Sequence, residues 1–429
     1  MIAVYRAGLF HLLDDPASYD PRDGYFEDGA LVIEDGHVVR AGAWGDIAPT
    51  IGDAPVTRFD NALIVPGFVD AHVHYPQVDI IASPADHLMD WLGVHTFPSE
   101  VRFADRAVAD EAAGFFLDQL LAHGTTSALV YATVHKGSAV ALFEAAAARN
   151  MRIVSGKVLM DRHAPDGLMD TAQSGFDDSA ALIRDWHGKG RIGYAVTPRF
   201  AVTSSERQLE LAGRLVRENP GVLMHTHLAE THEEIAEVRR LFPDCADYLG
   251  VYEKFGLATK RSVFAHCLHL TDDEWHRMRR HDCAVAFCPT SNLFLGSGLF
   301  DAKAAAGLRI GLGTDVGGGT SLSLLATMDE AFKVGQLRRQ LSDAFKLFHW
   351  ATLGGAKALR LDSKIGNFES GKEADFLVLD RAATPVLARR LARAREPEEV
   401  LFALALLGDD RTVKHTYVAG RLAHSRDRS

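Results

Sequence analysis

Two histidines at the end of a predicted strand are the residues of this chain best suited to chemistry. His72 and His74, the H-x-H pair, close the largely apolar run Ile64–His74, which has strand character. Because side chains alternate along a strand, residues spaced i, i+2 lie on the same face. Two neutral imidazoles on one face suit a zinc or iron ion and leave positions open for other ligands and water. The alternative is a pair of surface histidines in a chain that contains twenty.

Three further predicted strands deliver residues of the same chemical types. They end near His227, His266 and Asp315, and Glu230 follows three residues after His227. In an α/β barrel, the side chains at the carboxyl ends of the strands meet at one rim. We therefore expect the H-x-H pair, His227 and Asp315 to hold a catalytic metal, because this set leaves a position for water.

The same rim contains the residues predicted to move protons. Asp315 can accept the proton of a metal-activated water, and Glu230 can act as a proton shuttle without binding the metal. His266 can polarise the carbon under attack or steady the nucleophilic hydroxide. His225 is expected to point away from His227 and to pack against helices.

The presence or absence of a lysine on the fourth strand indicates how many metal ions the site holds. A binuclear site of this type would take a carboxylated lysine from that strand. The residues Tyr194–Arg199 contain no lysine, and Lys157 lies on the third strand. The sequence therefore predicts one metal ion.

Strands alternate with helical sequence in the middle of the chain and must position these residues. The predicted strands are Leu63–Val69, Ser127–Tyr131, Ile153–Val158, Ile192–Thr197, Val222–Thr226, Ser262–Ala265, Ala284–Phe287 and Ile310–Gly313. Helical patterns follow them at Arg106–His123 and Ser204–Asn219, and a capping box at Thr271–Glu274 begins another helix. Eight such units predict an α/β fold with a distorted (β/α)8 barrel.

Both ends of the chain consist of short predicted strands and turns. The strands are Ile2–Leu13, Ala30–Glu34, His37–Gly42, Asp375–Asp380 and Val413–Leu422. Asp35-Gly36 is typical of a tight hairpin turn. We expect the two ends, residues 1–65 and 366–429, to form one small β-sandwich domain beside a barrel at residues 66–365.

The composition limits the classes of partner. The chain has 429 residues, of which 47% are hydrophobic and 24% charged, as in a soluble globular enzyme. The net charge of -11 argues against nucleic acid or an anionic membrane as a partner. No leader pattern opens the sequence and no apolar run reaches about 18 residues, so we expect neither secretion nor membrane insertion. The four cysteines, without a C-x-x-C motif, fit reduced thiols in a cytoplasmic protein.

Five segments carry a resemblance to a known family: Pro66–Gln77, Thr197–Phe200, His227–Glu230, Cys288–Asn292 and Gly313–Gly319. Together they resemble the mononuclear branch of the amidohydrolase superfamily and, within it, the guanine deaminases. The H-x-H pair and Asp315 are typical of the whole superfamily. His-Tyr-Pro-Gln in the first segment and Thr-Pro-Arg-Phe in the second are typical of guanine deaminases. The resemblance covers nearly the whole chain.

The resemblance also implies which residues bind a purine. Gln77, Arg199 and Phe200 match the positions that hold the base in this family. An arginine fork fits the adjacent acceptors O6 and N7 of guanine, and an amide can both donate and accept on a ring edge. Arg199 in a surface salt bridge is the alternative. Trp91 and Phe97 either stack on the base or belong to the core of the loop after the first strand.

The implied reaction is the hydrolytic deamination of guanine to xanthine and ammonia. A metal-activated hydroxide attacks C2, Glu230 protonates the adjacent ring nitrogen, and Asp315 returns a proton to the leaving amine. Glu230 and His266 would then also contact the substrate. We expect one Zn²⁺ per subunit, with Fe²⁺ as the alternative, and a homodimer.

Three other functions remain open. The first is the same chemistry on 8-oxoguanine, a pterin or a chlorotriazine. The second is a non-catalytic barrel that serves as a scaffold, and the complete ligand set argues against it. The third is a cyclic-amide hydrolase, which the missing lysine on the fourth strand disfavours.

Overall fold

The computed structural model describes residues 2–84 and 88–428, and the chain divides into two compact units. The terminal unit comprises Met1–Asp70, Asp118–Ser127 and Ser323–Ser429. The central unit comprises Ala71–Leu117 and Ala128–Leu322. The domain bounds expected from the sequence stay a prediction.

Strands occur along the whole of the described chain. They are β1 (Ile2–Phe10), β2 (Tyr25–Glu34), β3 (His37–Ala43), β4 (Val56–Pro66), β5 (Phe68–His74), β6 (Thr125–Tyr131), β7 (Arg152–Gly156), β8 (Val158–Leu159), β9 (Gly193–Pro198), β10 (Leu223–Leu228), β11 (Ser262–His266), β12 (Ala284–Phe287), β13 (Arg309–Leu312), β14 (Phe376–Asp380), β15 (Val413–Val418) and β16 (Arg421–Ser425).

Helices follow most strands of the middle region. They are α1 (Trp44–Ile47), α2 (Leu88–Trp91), α3 (Phe97–Val101), α4 (Arg106–Ala122), α5 (Lys136–Ala148), α6 (Ala172–Trp186), α7 (Glu206–Glu218), α8 (His232–Leu241), α9 (Tyr248–Lys254), α10 (Asp272–Arg280), α11 (Pro289–Phe294), α12 (Leu324–Arg338), α13 (Ala344–Ala351), α14 (Leu353–Ala358), α15 (Pro385–Leu391) and α16 (Pro397–Leu407). The predicted capping box at Thr271 and Glu274 is confirmed at the start of α10.

The two chain ends supply one mixed sheet in the terminal unit. Its strand order is β16-β15-β14-β4-β1-β2-β3, and β1 runs parallel to β4. Asp35 and Gly36 join β2 to β3, and both have a positive φ, at 48° and 82°. Glycine favours this left-handed conformation and aspartate tolerates it, so the predicted hairpin is confirmed. Apolar side chains from both chain ends form its core, among them Leu31, Ile64 and Phe376.

Eight parallel strands form the predicted barrel. Their order is β5-β6-β7-β9-β10-β11-β12-β13, and the short β8 also pairs with β9. The first and last strands meet through the backbone, where the amide of Asp315 donates to the carbonyl of His72 at 2.8 Å. The amide of His74 donates to the carbonyl of Val316, also at 2.8 Å. The barrel is therefore nearly closed, and its carboxyl-end rim contains the H-x-H pair and Asp315.

The first barrel strand differs from its predicted bounds. The run Leu63–Val69 belongs to two strands, because β4 ends at Pro66 in the mixed sheet and β5 begins at Phe68 in the barrel. At the break, a Cβ on Gly67 would lie 2.2 Å from the Thr126 Oγ1, so only glycine fits without displacement. Both strands are apolar, so the alternation pattern does not reveal the change of sheet.

No helix in the described ranges is long and apolar enough to cross a membrane. Within residues 2–84 and 88–428, no disulfide joins any of the four cysteines.

Candidate active site

Four side chains at the barrel rim bring metal-binding atoms together. One ligand atom from each of His72, His227, His266 and Asp315 lies within 4.8 Å of the others. The His72 Nε2 is 3.1 Å from the Asp315 Oδ1, and the His266 Nε2 is 3.7 Å from the Asp315 Oδ2. They come from the ends of β5, β10 and β11 and from the residues after β13.

His74 lies against the same group. Its Nε2 is 3.1 Å from the His72 Nε2 and 3.3 Å from the Asp315 Oδ1. Metal–nitrogen distances of about 2.0–2.1 Å in a tetrahedral zinc site put neighbouring ligand atoms about 3.3 Å apart. His72, His74 and Asp315 thus have spacings that suit one ion, and His227 and His266 each offer a nitrogen within 4.8 Å of the His72 and Asp315 ligand atoms. Imidazole nitrogens and a carboxylate are a donor set that zinc and iron accept.

Burial sets the protonation of these ligands. It lowers the pKa of His74 to about 4, and it lowers the pKa of His72 and His227 as well, so the rings are neutral at pH 7. Burial raises the pKa of Asp315, but the surrounding imidazoles outweigh this and hold it well below its usual range. Neutral rings around an ionised carboxylate are the state that binds a metal cation.

Hydrogen bonds fix the tautomers of two rings. The His227 Nδ1 donates to the backbone carbonyl of Arg199 at 2.7 Å, which leaves the lone pair on Nε2. The His266 Nδ1 donates to the Asn292 Oδ1 at 2.8 Å. The His266 Nε2 is buried without a hydrogen-bond partner among the described residues, although it faces Glu230 and Asp315. An unshared buried nitrogen aimed at the other ligands fits a metal or its water.

The expectation for His225 is wrong. Its Nε2 lies 2.7 Å from the His72 Nδ1, and its ring centroid is 4.5 Å from that of Tyr131. Residues 225 and 227 are spaced i, i+2 and share one face of β10, so both rings point into the barrel. His225 therefore supports a predicted ligand instead of packing against the outer helices.

The backbone at the strand ends adopts a rarely used conformation. His266, Cys267 and Asp315 have positive φ angles of 69°, 55° and 50°, and Ala229, just before Glu230, has 52°. This left-handed region costs a residue with a side chain about 1–2 kcal/mol. Such positions cluster where the surrounding structure must hold a functional side chain in one direction.

Glu230 has the environment of a proton donor. Its side chain is buried, Ser297 Oγ donates to its Oε1 at 2.9 Å, and its Oε2 is 3.4 Å from the His266 Nε2. Burial and the nearby charge of Asp315 raise the pKa of Glu230 to about 8. This environment favours the protonated form of the Glu230 carboxyl beside the cluster. The backbone amide of Glu230 donates to the buried carboxylate of Glu234 at 2.9 Å.

A cavity that is partly open to solvent lies next to the cluster. The predicted metal ligands and catalytic residues that line it are His74, His227, Glu230, His266 and Asp315. The predicted purine-binding residues Gln77, Arg199 and Phe200 line it as well. Arg199 is 3% exposed, which excludes a surface salt bridge. Trp91 also lines the cavity, whereas Phe97 faces the Arg199 guanidinium, with its ring centroid 5.5 Å from the Cζ.

The comparisons with known proteins agree with this geometry. The model of the amidohydrolase family matches residues 63–423. The chain belongs to the amidohydrolase family. Guanine deaminase of Escherichia coli is 48% identical to it over 97% of this chain and 95% of that protein.

Solved structures of guanine deaminases match over nearly the whole chain. The E. coli enzyme superposes with a TM-score of 0.94 at 46% identity, over 99% of both chains. The enzyme from C. acetobutylicum, solved with guanine bound in its active site, gives a TM-score of 0.89 at 27% identity over 98% of this chain and 100% of that one. Within the amidohydrolases, this chain groups with the guanine deaminases, which confirms the resemblance and the fold class inferred from the sequence.

Several residues of this amidohydrolase site were not identified from the sequence. Tyr131 ends β6 at the rim and stacks on His74 with ring centroids 4.4 Å apart, so its strand-end position was a usable signal. Glu234 completes a capping box with Thr231, another readable pattern. Asn292 ends the segment Cys288–Asn292, which carries the family resemblance, but the sequence predicts no role for it. Glu100 is completely buried at the site, and no motif marks it.

Proposed function

We propose that this chain hydrolyses guanine to xanthine and ammonia. The observation that carries the proposal is that one cavity is lined by residues of the metal-binding cluster, by Glu230 and by the buried Arg199 and Gln77. A metal-activated water and a proton donor suit deamination, and an arginine fork with an amide suits the oxo edge of a purine. The relatives that carry the name guanine deaminase support the same substrate.

We propose one zinc ion per subunit, held by the H-x-H pair, His227 and Asp315. When bound, the ion supplies an activated water as the nucleophile at neutral pH. His266, whose Nε2 is unshared and faces Asp315, is placed to orient that water or to complete the ligand set. Metal analysis of the purified protein distinguishes zinc from iron.

The residues of this chain move two protons in the proposed reaction. Asp315 takes one proton from the attacking water as the oxygen bonds to C2. Glu230, with a pKa of about 8, gives its proton to the adjacent ring nitrogen. Asp315 then passes its proton to the exocyclic amine, the C2–N bond breaks and ammonia leaves. Glu230 recovers a proton from the new hydroxyl, which gives xanthine and restores both carboxyl groups.

Recognition of the base is assigned to three residues. Arg199 has N–H donors beyond the one that Glu100 accepts, and these suit O6 and N7. Phe200 lines the cavity and offers an aromatic face to the ring. Gln77 lies between these residues and His74, with its Nε2 at 3.2 Å from the His74 Nδ1.

The test is ammonia release from a panel of guanine, 8-oxoguanine, isoxanthopterin, adenine and cytosine by metal-replete protein. We expect guanine to have the highest kcat/KM. If another ring is preferred, the guanine assignment is wrong although the family membership stands. We also expect a homodimer, which light scattering after size exclusion would test.

Replacing Arg199 by alanine tests recognition separately. Loss of a charge-assisted hydrogen bond to the oxo edge should raise the KM for guanine by roughly 10- to 100-fold. Steady-state kinetics on R199A measure this, and R207A is the control because Arg207 is exposed and pairs with Glu210 on the surface. An unchanged KM in R199A would remove Arg199 from the binding site.

A further inference from the structure

Glu100 links the two residues assigned to the purine edge. Its side chain is completely buried, on α3. Its Oε1 accepts from the Gln77 Nε2 at 2.9 Å, and its Oε2 accepts from the Arg199 Nη1 at 2.7 Å. A buried carboxylate is stable only when it is paired and hydrogen-bonded, and both oxygens of Glu100 are used in this way.

The same short helix holds the Arg199 guanidinium from a second side. The Arg199 Cζ lies 5.5 Å from the centroid of the Phe97 ring, which is within the range of a cation–π contact. The carboxylate and the aromatic ring come from positions three residues apart. Together they restrict a long side chain that would otherwise lose considerable rotamer entropy on binding a ligand.

Glu100 also sets the direction of the Gln77 amide. A carboxylate can only accept, so the amide presents its NH₂ group to Glu100. The Gln77 Oε1 then faces the other way and accepts from the backbone amide of Gly317 at 3.2 Å. Removing the carboxylate would leave the weaker contact with the Gly317 amide to set the direction of the Gln77 side chain.

We propose that Glu100 is a positioning residue that sets Arg199 for the oxo edge of the substrate and holds the Gln77 amide in one direction. It acts through these two side chains and is not expected to contact the purine. The inference rests on the proposed function, since it assigns Arg199 to O6 and N7. Glu100 should therefore control discrimination in favour of 6-oxopurines.

The test compares guanine with 2-aminopurine, which has the reacting 2-amino group and N7 but no 6-oxo group. In E100Q, the KM for guanine should rise about 10- to 100-fold, as for loss of a group that orients a binding residue. The KM for 2-aminopurine should rise less, because only N7 remains for Arg199. Metal content should not change. A purely structural role would lower the active fraction with both substrates and leave the ratio of their kcat/KM values at the wild-type level.

Two further variants keep the test decisive. E100D retains the charge that neutralises buried Arg199, so the variant should fold. It withdraws the carboxylate by one methylene, so the ratio of kcat/KM for guanine to kcat/KM for 2-aminopurine should fall by a smaller factor than in E100Q. In the R199A background, E100Q should not change the ratio of the two kcat/KM values further, because both substitutions act on the contact between Arg199 and the 6-oxo group. E144Q is the control, since Glu144 is exposed and pairs with exposed Arg106.

The outcomes separate this inference from the function on which it rests. Wild-type protein that releases no ammonia from guanine would overturn both. If wild-type protein turns over guanine, but E100D and folded E100Q keep the wild-type ratio of kcat/KM for guanine to kcat/KM for 2-aminopurine, only the role of Glu100 is overturned. A lower ratio in both variants, absent from E144Q, supports it.

Discussion

Buried histidines occur in both units of the molecule, but only one set converges. In the central unit, His72, His227 and His266 direct ring nitrogens toward Asp315. In the terminal unit, His11 and His349 are also buried, at 6% and 5% exposed. Burial lowers the pKa of His11 and of His349 to about 4, as it does for His74 at the rim. Burial and a shifted pKa are therefore shared by both sets and do not identify a site.

The surroundings of the two sets of histidines explain why only the set in the central unit could bind a metal. The His11 Nδ1 accepts from the backbone amide of Phe368 at 3.3 Å, so the ring serves the local packing. Neither ring nitrogen of His349 has a hydrogen-bond partner among the described residues. Within residues 2–84 and 88–428, only the rim brings three or more such ligands together. Convergence on one carboxylate is the feature that marks function.

The comparison is tested most strongly by replacing the carboxylate on which the rings converge. D315N keeps the shape of the side chain but removes its charge, so metal should be lost. Because bound metal lowers the pKa of its water by several units, kcat should fall by on the order of 10⁴-fold or more. Metal analysis and guanine turnover measure both effects. Chelated wild-type protein should regain activity with added zinc, and D315N should not.

A buried carboxylate in the terminal unit is the matched control. Asp375 is 5% exposed, and its Oδ1 accepts from the backbone amide of Ala419 at 2.7 Å. D375N should lower the free energy of unfolding but leave metal content and KM at wild-type values. If D375N lost metal as D315N does, convergence would not be what distinguishes the rim.

The second prediction concerns the proton donor beside the rings. E230Q cannot release a proton to the ring nitrogen, so kcat should fall by about 10²–10⁴-fold, the usual contribution of a general acid or base. Metal content should stay normal. E233Q is the control, because Glu233 is exposed three residues further along the chain. Near-native turnover in E230Q would exclude the shuttle role.

The third prediction concerns the partner that fixes the His266 tautomer. N292A removes the oxygen that accepts from the His266 Nδ1, so the proton can move to Nε2 and block the face toward Asp315. Loss of such an orienting partner typically reduces activity or metal affinity by about 10- to 100-fold. Asn367 is the counterpart in the terminal unit, where it is buried and donates to the carbonyl of Leu12 at 2.9 Å. N367A should affect stability alone, and equal losses of kcat/KM in both variants would contradict the prediction.

Much of the rim could be anticipated because strand ends converge in a barrel. The H-x-H pair, His227, Glu230 and Asp315 follow predicted strands, so their types and positions sufficed to bring them together. The error at His225 came from assigning its strand face wrongly, since its spacing to His227 matches that of the first pair.

Glu100 could not be anticipated for a different reason. It lies on α3, a helix of five residues in the segment after β5, where neither a repeat nor a strand end constrains position. Its partners are 23 and 99 residues away along the chain. The break at Gly67 was hidden because apolar sequence continues on both sides. Local patterns predict strand-end residues, whereas contacts from connecting segments depend on the complete fold.

The smallest effect is expected from the isolated histidine of the terminal unit. The pKa of His349 is about 4 in the folded protein and about 6.5 in an unfolded chain, so between these values only the unfolded state binds the proton. The contribution to stability is complete above pH 6.5 and is lost as the pH falls toward 4. H349Q removes this titration, so its free energy of unfolding relative to wild type should rise by about 1–3 kcal/mol between pH 7 and pH 4. Urea unfolding across this range measures the difference, while metal content and guanine turnover at pH 7.5 should match wild type. If the difference in the free energy of unfolding between H349Q and wild type did not change with pH, His349 would be solvated in the folded state. If H349Q lost metal, the histidines of the terminal unit and of the rim would be coupled.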